Sequence, residues 1–81
     1  MNDGLHERLA ALLADVCGAP VSSLGPESAP GVTPGWDSFA TVGFIAAVED
    51  ELGIMITTAE ALAIKSLADV ARLVAAKLGP S

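Results

Sequence analysis

The chain has a single cysteine, Cys17, which excludes an internal disulfide and a zinc site built from several cysteines. Basic side chains are scarce as well: four stand against ten acidic ones, for a formal charge of −6. A surface this acidic repels phosphates at long range, so nucleic acid and anionic membranes are poor partners and basic patches on proteins are better ones. No long hydrophobic run is present. The least polar window, Phe39 to Val48, is about half the length a membrane-spanning helix needs. The start, Met1-Asn2-Asp3-Gly4, has no cationic stretch leading into an apolar one, so it carries no secretory signal. The expected location is the cytoplasm.

What is present is 81 residues, 52 % hydrophobic and only 17 % charged, which is too apolar for a disordered acidic tail. That length gives one small domain, 1–81, burying only about 60 % of its unfolded surface. With no disulfide or cysteine-held metal, aliphatic packing must hold it together.

Hydrophobic spacing predicts three main helices. Leu5, Leu9, Leu12, Leu13 and Val16 form one stripe of a 3.6-residue period, with Asn2 or Asp3 as cap and Gly18 and Pro20 as stop. Val42, Ile45, Val48 and Leu52 make a second stripe, widened by Phe39 and Phe44. Asp37 is its expected N-cap and Gly53 its terminator. Leu67, Val70, Ala71, Val74 and Leu78 make the third, closing at Gly79-Pro80, with Ser66 and Asp69 resembling a capping box. Thr57 and Glu60 form a better box, opening a short helical turn to about Ala63. Ile54-Met55-Ile56 has strand character but no strand to pair with. The expected class is all-α: a small up-and-down bundle of three main helices and one short one.

A long loop joins the first two helices. Residues 18–36 hold four of the five prolines and four of the eight glycines. Connections of this length are uncommon in small domains unless functional or mobile. Val21, Leu24 and Trp36 are its expected anchors.

The loop ends in Gly35-Trp36-Asp37-Ser38-Phe39. A serine just after an aspartate cap places its hydroxyl at a helix N-terminus, where free N–H groups and the helix dipole favour a phosphate. Serine needs a base to act as a nucleophile, and the only histidine, His6, belongs to another helix. No paired acid and base suggests an enzyme. A serine modified by a separate enzyme fits better, with a helical adaptor for protein–protein contact as the plainer alternative.

Asp37-Ser38-Phe39 resembles the attachment motif of the acyl carrier proteins, Asp-Ser-Leu at the start of the second helix. The resemblance continues through Thr41-Val42, Glu49-Asp50-Glu51, Leu52-Gly53-Ile54 and Ile56. It resumes at Glu60-Ala61, Ile64 and Ser66-Leu67-Ala68-Asp69-Val70, so that about four-fifths of the chain is covered. It implies that Ser38 carries 4′-phosphopantetheine, attached from coenzyme A by a phosphopantetheinyl transferase, with Asp37 as cap and aid to modification. Such a chain is a non-catalytic monomer that presents a thioester-linked acyl group to an acyl-loading enzyme and to downstream acyl-processing enzymes. The implied docking surface takes in Trp36, Phe39, Ala40, Gly43, Glu49, Asp50 and Glu51. Phe39 replaces the usual leucine, and Ala40 and Gly43 stand where carriers of bacterial fatty acid synthesis commonly have acidic residues. Those departures favour polyketide or other specialised, antibiotic-type biosynthesis. A peptidyl or aminoacyl carrier is disfavoured by Asp37, where such carriers usually have glycine. Met1 and Gly79-Pro80-Ser81 suit a whole, free-standing protein.

Overall fold

A computed structural model describes residues 3–79, in which four α-helices and one 3₁₀ turn follow one another with no strand among them. Helix α1 spans Asp3–Cys17, α2 Ser38–Leu52, α3 Thr58–Leu62 and α4 Leu67–Leu78, with the 3₁₀ turn at Val21–Ser23. The expected all-α class is therefore observed. Asn2 lies outside the described residues and Asp3 is already helical, so the cap expected at one of them falls outside the description. Pro80 also lies outside.

Helix α1 is central and packs against both α2 and α4. Leu9 and Leu13 are fully buried, while Leu5, Leu12 and Val16 flank them. Gly18, at φ 69°, ends the helix, and its N–H donates to Ala14 O at 2.8 Å. The left-handed conformation is the glycine stop that the sequence implies. On α4, Leu67, Val70 and Val74 turn inward, whereas Leu78 at the end is half exposed.

Helix α2 keeps Phe44, Ile45 and Val48 of the expected stripe inward but departs from it at Phe39 and Val42. Its buried residues are Ala40, Phe44, Ile45 and Val48, while Val42 is 69 % and Phe39 88 % exposed. The stretch from Ser38 to Val48 has no ionisable side chain, so no polar face marks which side meets solvent. Packing around Trp36 settles the rotation, because its ring meets Phe44 edge-on at 5.9 Å. Asp37 caps the helix as expected, accepting from Ala40 N–H at 2.8 Å, and Gly53 ends it at φ 66°.

The two capping boxes differ. At α3 the box is complete: Glu60 N–H donates to Thr57 Oγ1 at 3.1 Å, and Thr57 N–H to Glu60 Oε1 at 2.9 Å. At α4 only half forms. Ser66 Oγ accepts from Asp69 N–H, but the Asp69 carboxylate takes the Lys65 N–H and pairs with Arg72 instead of returning to Ser66.

The long loop is strapped to the bundle. Leu24 is buried as expected, but Val21 is 51 % exposed, and the 3₁₀ turn that carries it lies against α1 without burying any residue fully. The remaining hold comes from the backbone. Leu67 N–H donates to Ser28 O at 2.8 Å and Ala68 N–H to Pro26 O at 2.9 Å. These are N–H groups of the first turn of α4, which no intrahelical carbonyl can satisfy. Gly35, at φ 83°, passes so close to α1 that an added Cβ would lie 2.5 Å from Cys17 O. Gly35→Ala is therefore expected to lose at least about 1–3 kcal/mol from backbone strain alone. In thermal unfolding that is a fall of roughly 4–8 °C per kcal/mol for a domain of this size. An unchanged melting temperature would contradict the close approach.

Candidate functional site

Ser38 is the first residue of α2 and is exposed. Its position is built by the residues on either side. Trp36 is only 1 % exposed, and its Nε1–H donates to Thr41 Oγ1 at 2.9 Å. The Thr41 hydroxyl in turn donates to Asp37 O at 3.0 Å. Asp37 uses one carboxylate oxygen on Ala40 N–H. The last loop residues are thus fixed to the first turn of the helix on both sides of Ser38, leaving its hydroxyl outward at the positive end of the dipole.

An apolar groove of about 750 Å³ begins at Ser38. Ser38, Thr41, Val42, Ile45, Ala46 and Glu49 form its α2 wall. At 1.5 Å per residue these eleven steps make it about 16 Å long. The opposite wall comes from Ile56, Ala61, Leu62 and Ile64, with Pro30 and Gly31 at the loop side. Ile56, Ala61 and Ile64 belong to the family resemblance in the sequence, but that they form a wall facing α2 depends on how the short helix is laid against it.

Glu49 closes the far end. Its Oε2 accepts from Ile56 N–H at 2.8 Å, drawing the connection after α2 back against the helix. The three expected acidic docking residues therefore divide: Glu49 is used internally, Glu51 meets Arg8 at 3.5 Å, and Asp50 faces solvent. An exposed pair such as Arg8–Glu51 contributes little stability.

Two other residues expected on the partner surface are not on it. Trp36 and Ala40 are buried in the core, at 1 % and 5 % exposure, because both pack on the inward side of α2. Phe39 stands in solvent, off the buried stripe that its spacing implied and at the exposed surface where Gly43 also lies. The Cys17 thiol is half-buried, and burial together with the nearby Asp37 carboxylate pushes its pKa up. It stays protonated and weakly nucleophilic at neutral pH.

Helix α3 is tied to α4 by Lys77 Nζ, 2.9 Å from Glu60 Oε1. The Thr57 N–H and then Lys77 hold the Glu60 carboxyl below its ordinary pKa. A depressed carboxylate stabilises the fold above its unfolded pKa, and that contribution fades as pH falls through the folded one. The Thr57 amide signal is accordingly expected to titrate below the ordinary glutamate range by NMR. Titration at or above that range would contradict the cap.

Among the described residues no group of three or more His, Cys, Asp or Glu is placed to hold a metal ion, and no helix is long and apolar enough to cross a membrane. The family model for the phosphopantetheine attachment site matches residues 7–74, from the second turn of α1 to the middle of α4. No curated protein matches the chain.

Proposed function

The chain belongs to the phosphopantetheine attachment-site family, and on that premise we propose that Ser38 is its attachment residue and an acyl group its cargo. A carrier role follows from the family, whose members bear a covalently attached 4′-phosphopantetheine and are generally substrates of other enzymes. The observation that carries the assignment to Ser38 is its place: an exposed primary hydroxyl at a helix N-terminus and at the mouth of an apolar groove. The residues fit the group. A phosphodiester at Ser38 Oγ would sit at the positive end of α2, which favours negative charge.

When bound, the group supplies a terminal thiol that holds the cargo as a thioester. The chain's own residues orient and present it. Asp37 holds the first turn through Ala40 N–H, and the Trp36–Thr41 bond keeps the approach to Ser38 from shifting. The transferase supplies the activation that Ser38 lacks. Tethering raises the effective concentration of the cargo for each enzyme that docks the bundle. The groove beside Ser38 offers an apolar chain shelter from water.

A carrier of polyketide or other specialised biosynthesis is favoured over one of fatty acid synthesis. No acidic side chain stands on α2 between Ser38 and Val48, so basic enzyme surfaces find little charge to meet there. Holo protein is expected to load slowly from the malonyl transferase of fatty acid synthesis, measured as acyl mass gained with time. Loading as fast as that of the transferase's own carrier would contradict the specialised role but not the carrier role. Loading by an amino-acid-activating enzyme would instead support the aminoacyl reading.

A further inference from the structure

Charge in the groove beside Ser38 is all of one sign. Asp37 lines it at the Ser38 end and Glu49 at the far end, and no lysine, arginine or histidine is among its lining residues. Between the two carboxylates the walls are apolar, Val42 and Ile45 on α2 facing Leu62 and Ile64. Glu49 is half-buried and spends one oxygen on the fold: Oε2 accepts from Ile56 N–H at 2.8 Å, while Oε1 has no partner among the described residues. Thr58, two residues past Ile56, adds a hydroxyl to the lining.

Length decides what reaches that end. From Ser38 Oγ to its sulfur a phosphopantetheine arm has about fourteen bonds, and at roughly 1.2 Å per bond, the advance of an extended backbone, it spans about 17 Å. The groove is about 16 Å long. Laid along it, the arm uses its whole length and sets the thioester and the first carbons of the cargo beside Glu49. Val42 and Leu62, at 69 % and 81 % exposure, leave the groove open along one side, so the arm's amides stay in water while its methyl and methylene groups meet the walls. A carboxylate oxygen in a half-buried wall makes a strong hydrogen bond with a hydroxyl or ammonium group and repels a second carboxylate. With no cation in the lining, nothing offsets that repulsion.

We infer that Glu49 selects the cargo: the far end of the groove receives a small acyl group bearing a hydroxyl or amino hydrogen-bond donor and turns away one bearing a carboxylate. The inference rests on Ser38 being the attachment residue.

The test loads Ser38 with a promiscuous phosphopantetheinyl transferase and magnesium from butyryl-, 3-hydroxybutyryl-, 3-aminobutyryl- and methylmalonyl-coenzyme A, cargoes of equal carbon count. Intact mass follows hydrolysis of each thioester, taken relative to the same coenzyme A thioester, and the Ile56 amide signal reports by NMR on the groove end. The hydroxyl- and amino-bearing cargoes are expected to be protected about threefold or more and to shift the Ile56 amide. The methylmalonyl cargo is expected to hydrolyse at about the rate of its coenzyme A thioester and to leave that amide where the holo protein has it. Glu49→Gln keeps an oxygen for Ile56 N–H but puts an amide nitrogen in place of the free carboxylate oxygen, and is expected to lose the difference between the 3-hydroxybutyryl and methylmalonyl cargoes. Asp50→Asn, at an exposed acid next in the chain, is expected to keep it. Thermal melting shows that each protein is folded. Equal protection of all four cargoes would overturn the inference and leave the carrier reading intact. So would a Glu49→Gln protein that discriminates as wild type does, or an Asp50→Asn protein that does not. Folded wild type that gains no arm from any of the four would overturn both.

Discussion

Trp36→Ala is expected to cost about 3–5 kcal/mol of folding stability, the usual range for deleting a buried large aromatic. Domains of this length have only about 4–12 kcal/mol in total at 0.05–0.15 kcal/mol per residue, so much of the population would unfold on mild warming. The ring is the largest fully buried side chain in the protein. Its loss opens a cavity against Phe44 and removes the donor to Thr41 Oγ1. Trp36→Phe keeps most of the packing and lets the Thr41 hydroxyl stay bonded to Asp37 O, so it is expected to cost clearly less. Urea unfolding followed by circular dichroism measures both. A loss under about 1 kcal/mol for the alanine variant would contradict the central place given to this residue.

The backbone of residue 36 is held as well, by bonds that any side chain there would leave in place. Trp36 O accepts from Gly31 N–H at 2.7 Å, and Trp36 N–H donates to Thr33 O at 3.0 Å. The indole adds its packing on Phe44 and its bond to Thr41 Oγ1 in the first turn of α2, with Ser38 two residues on from Trp36. This link from packing to presentation explains why a loop rich in proline and glycine ends in the bulkiest residue of the chain.

Features set by neighbours in sequence were legible from it. Asp37, Thr57 and Gly53 cap or stop their helices as their residue types imply, because capping depends on three or four consecutive residues. The stripe on α1 was legible for a related reason: polar residues on its other face leave one rotation that buries leucine. Helix α2 gave no such contrast. Its first eleven residues are uncharged, so only the tertiary meeting of Phe44 with Trp36 decides that Ala40 turns in and Phe39 out. Glu49 was obscured in the same way. Three adjacent acids look alike in sequence, and only the return of the chain at Ile56 gives one of them a buried N–H to accept from. Ser38 itself was legible, because its context is local. The groove beside it was not, since one wall belongs to residues 56–64 and exists only once α3 is laid across.

Ser38→Ala is expected to abolish modification outright while leaving the fold intact. The hydroxyl is exposed, and the cap of α2 is Asp37 rather than Ser38, so alanine at the first helical position removes no structural contact of consequence. No neighbouring serine can substitute for it. Ser23 Oγ donates to Pro20 O, Ser28 Oγ accepts from Gly25 N–H and Thr33 Oγ1 accepts from Ala29 N–H, while Ser22, exposed in the 3₁₀ turn, does not open an α-helix. Intact mass spectrometry of wild type and Ser38→Ala, each incubated with coenzyme A, magnesium and a phosphopantetheinyl transferase, reads the effect directly. A gain of one phosphopantetheine by the wild type and none by the variant is the predicted result. Equal gain by both, or no gain by folded wild type, would contradict the assignment of Ser38 as the attachment residue.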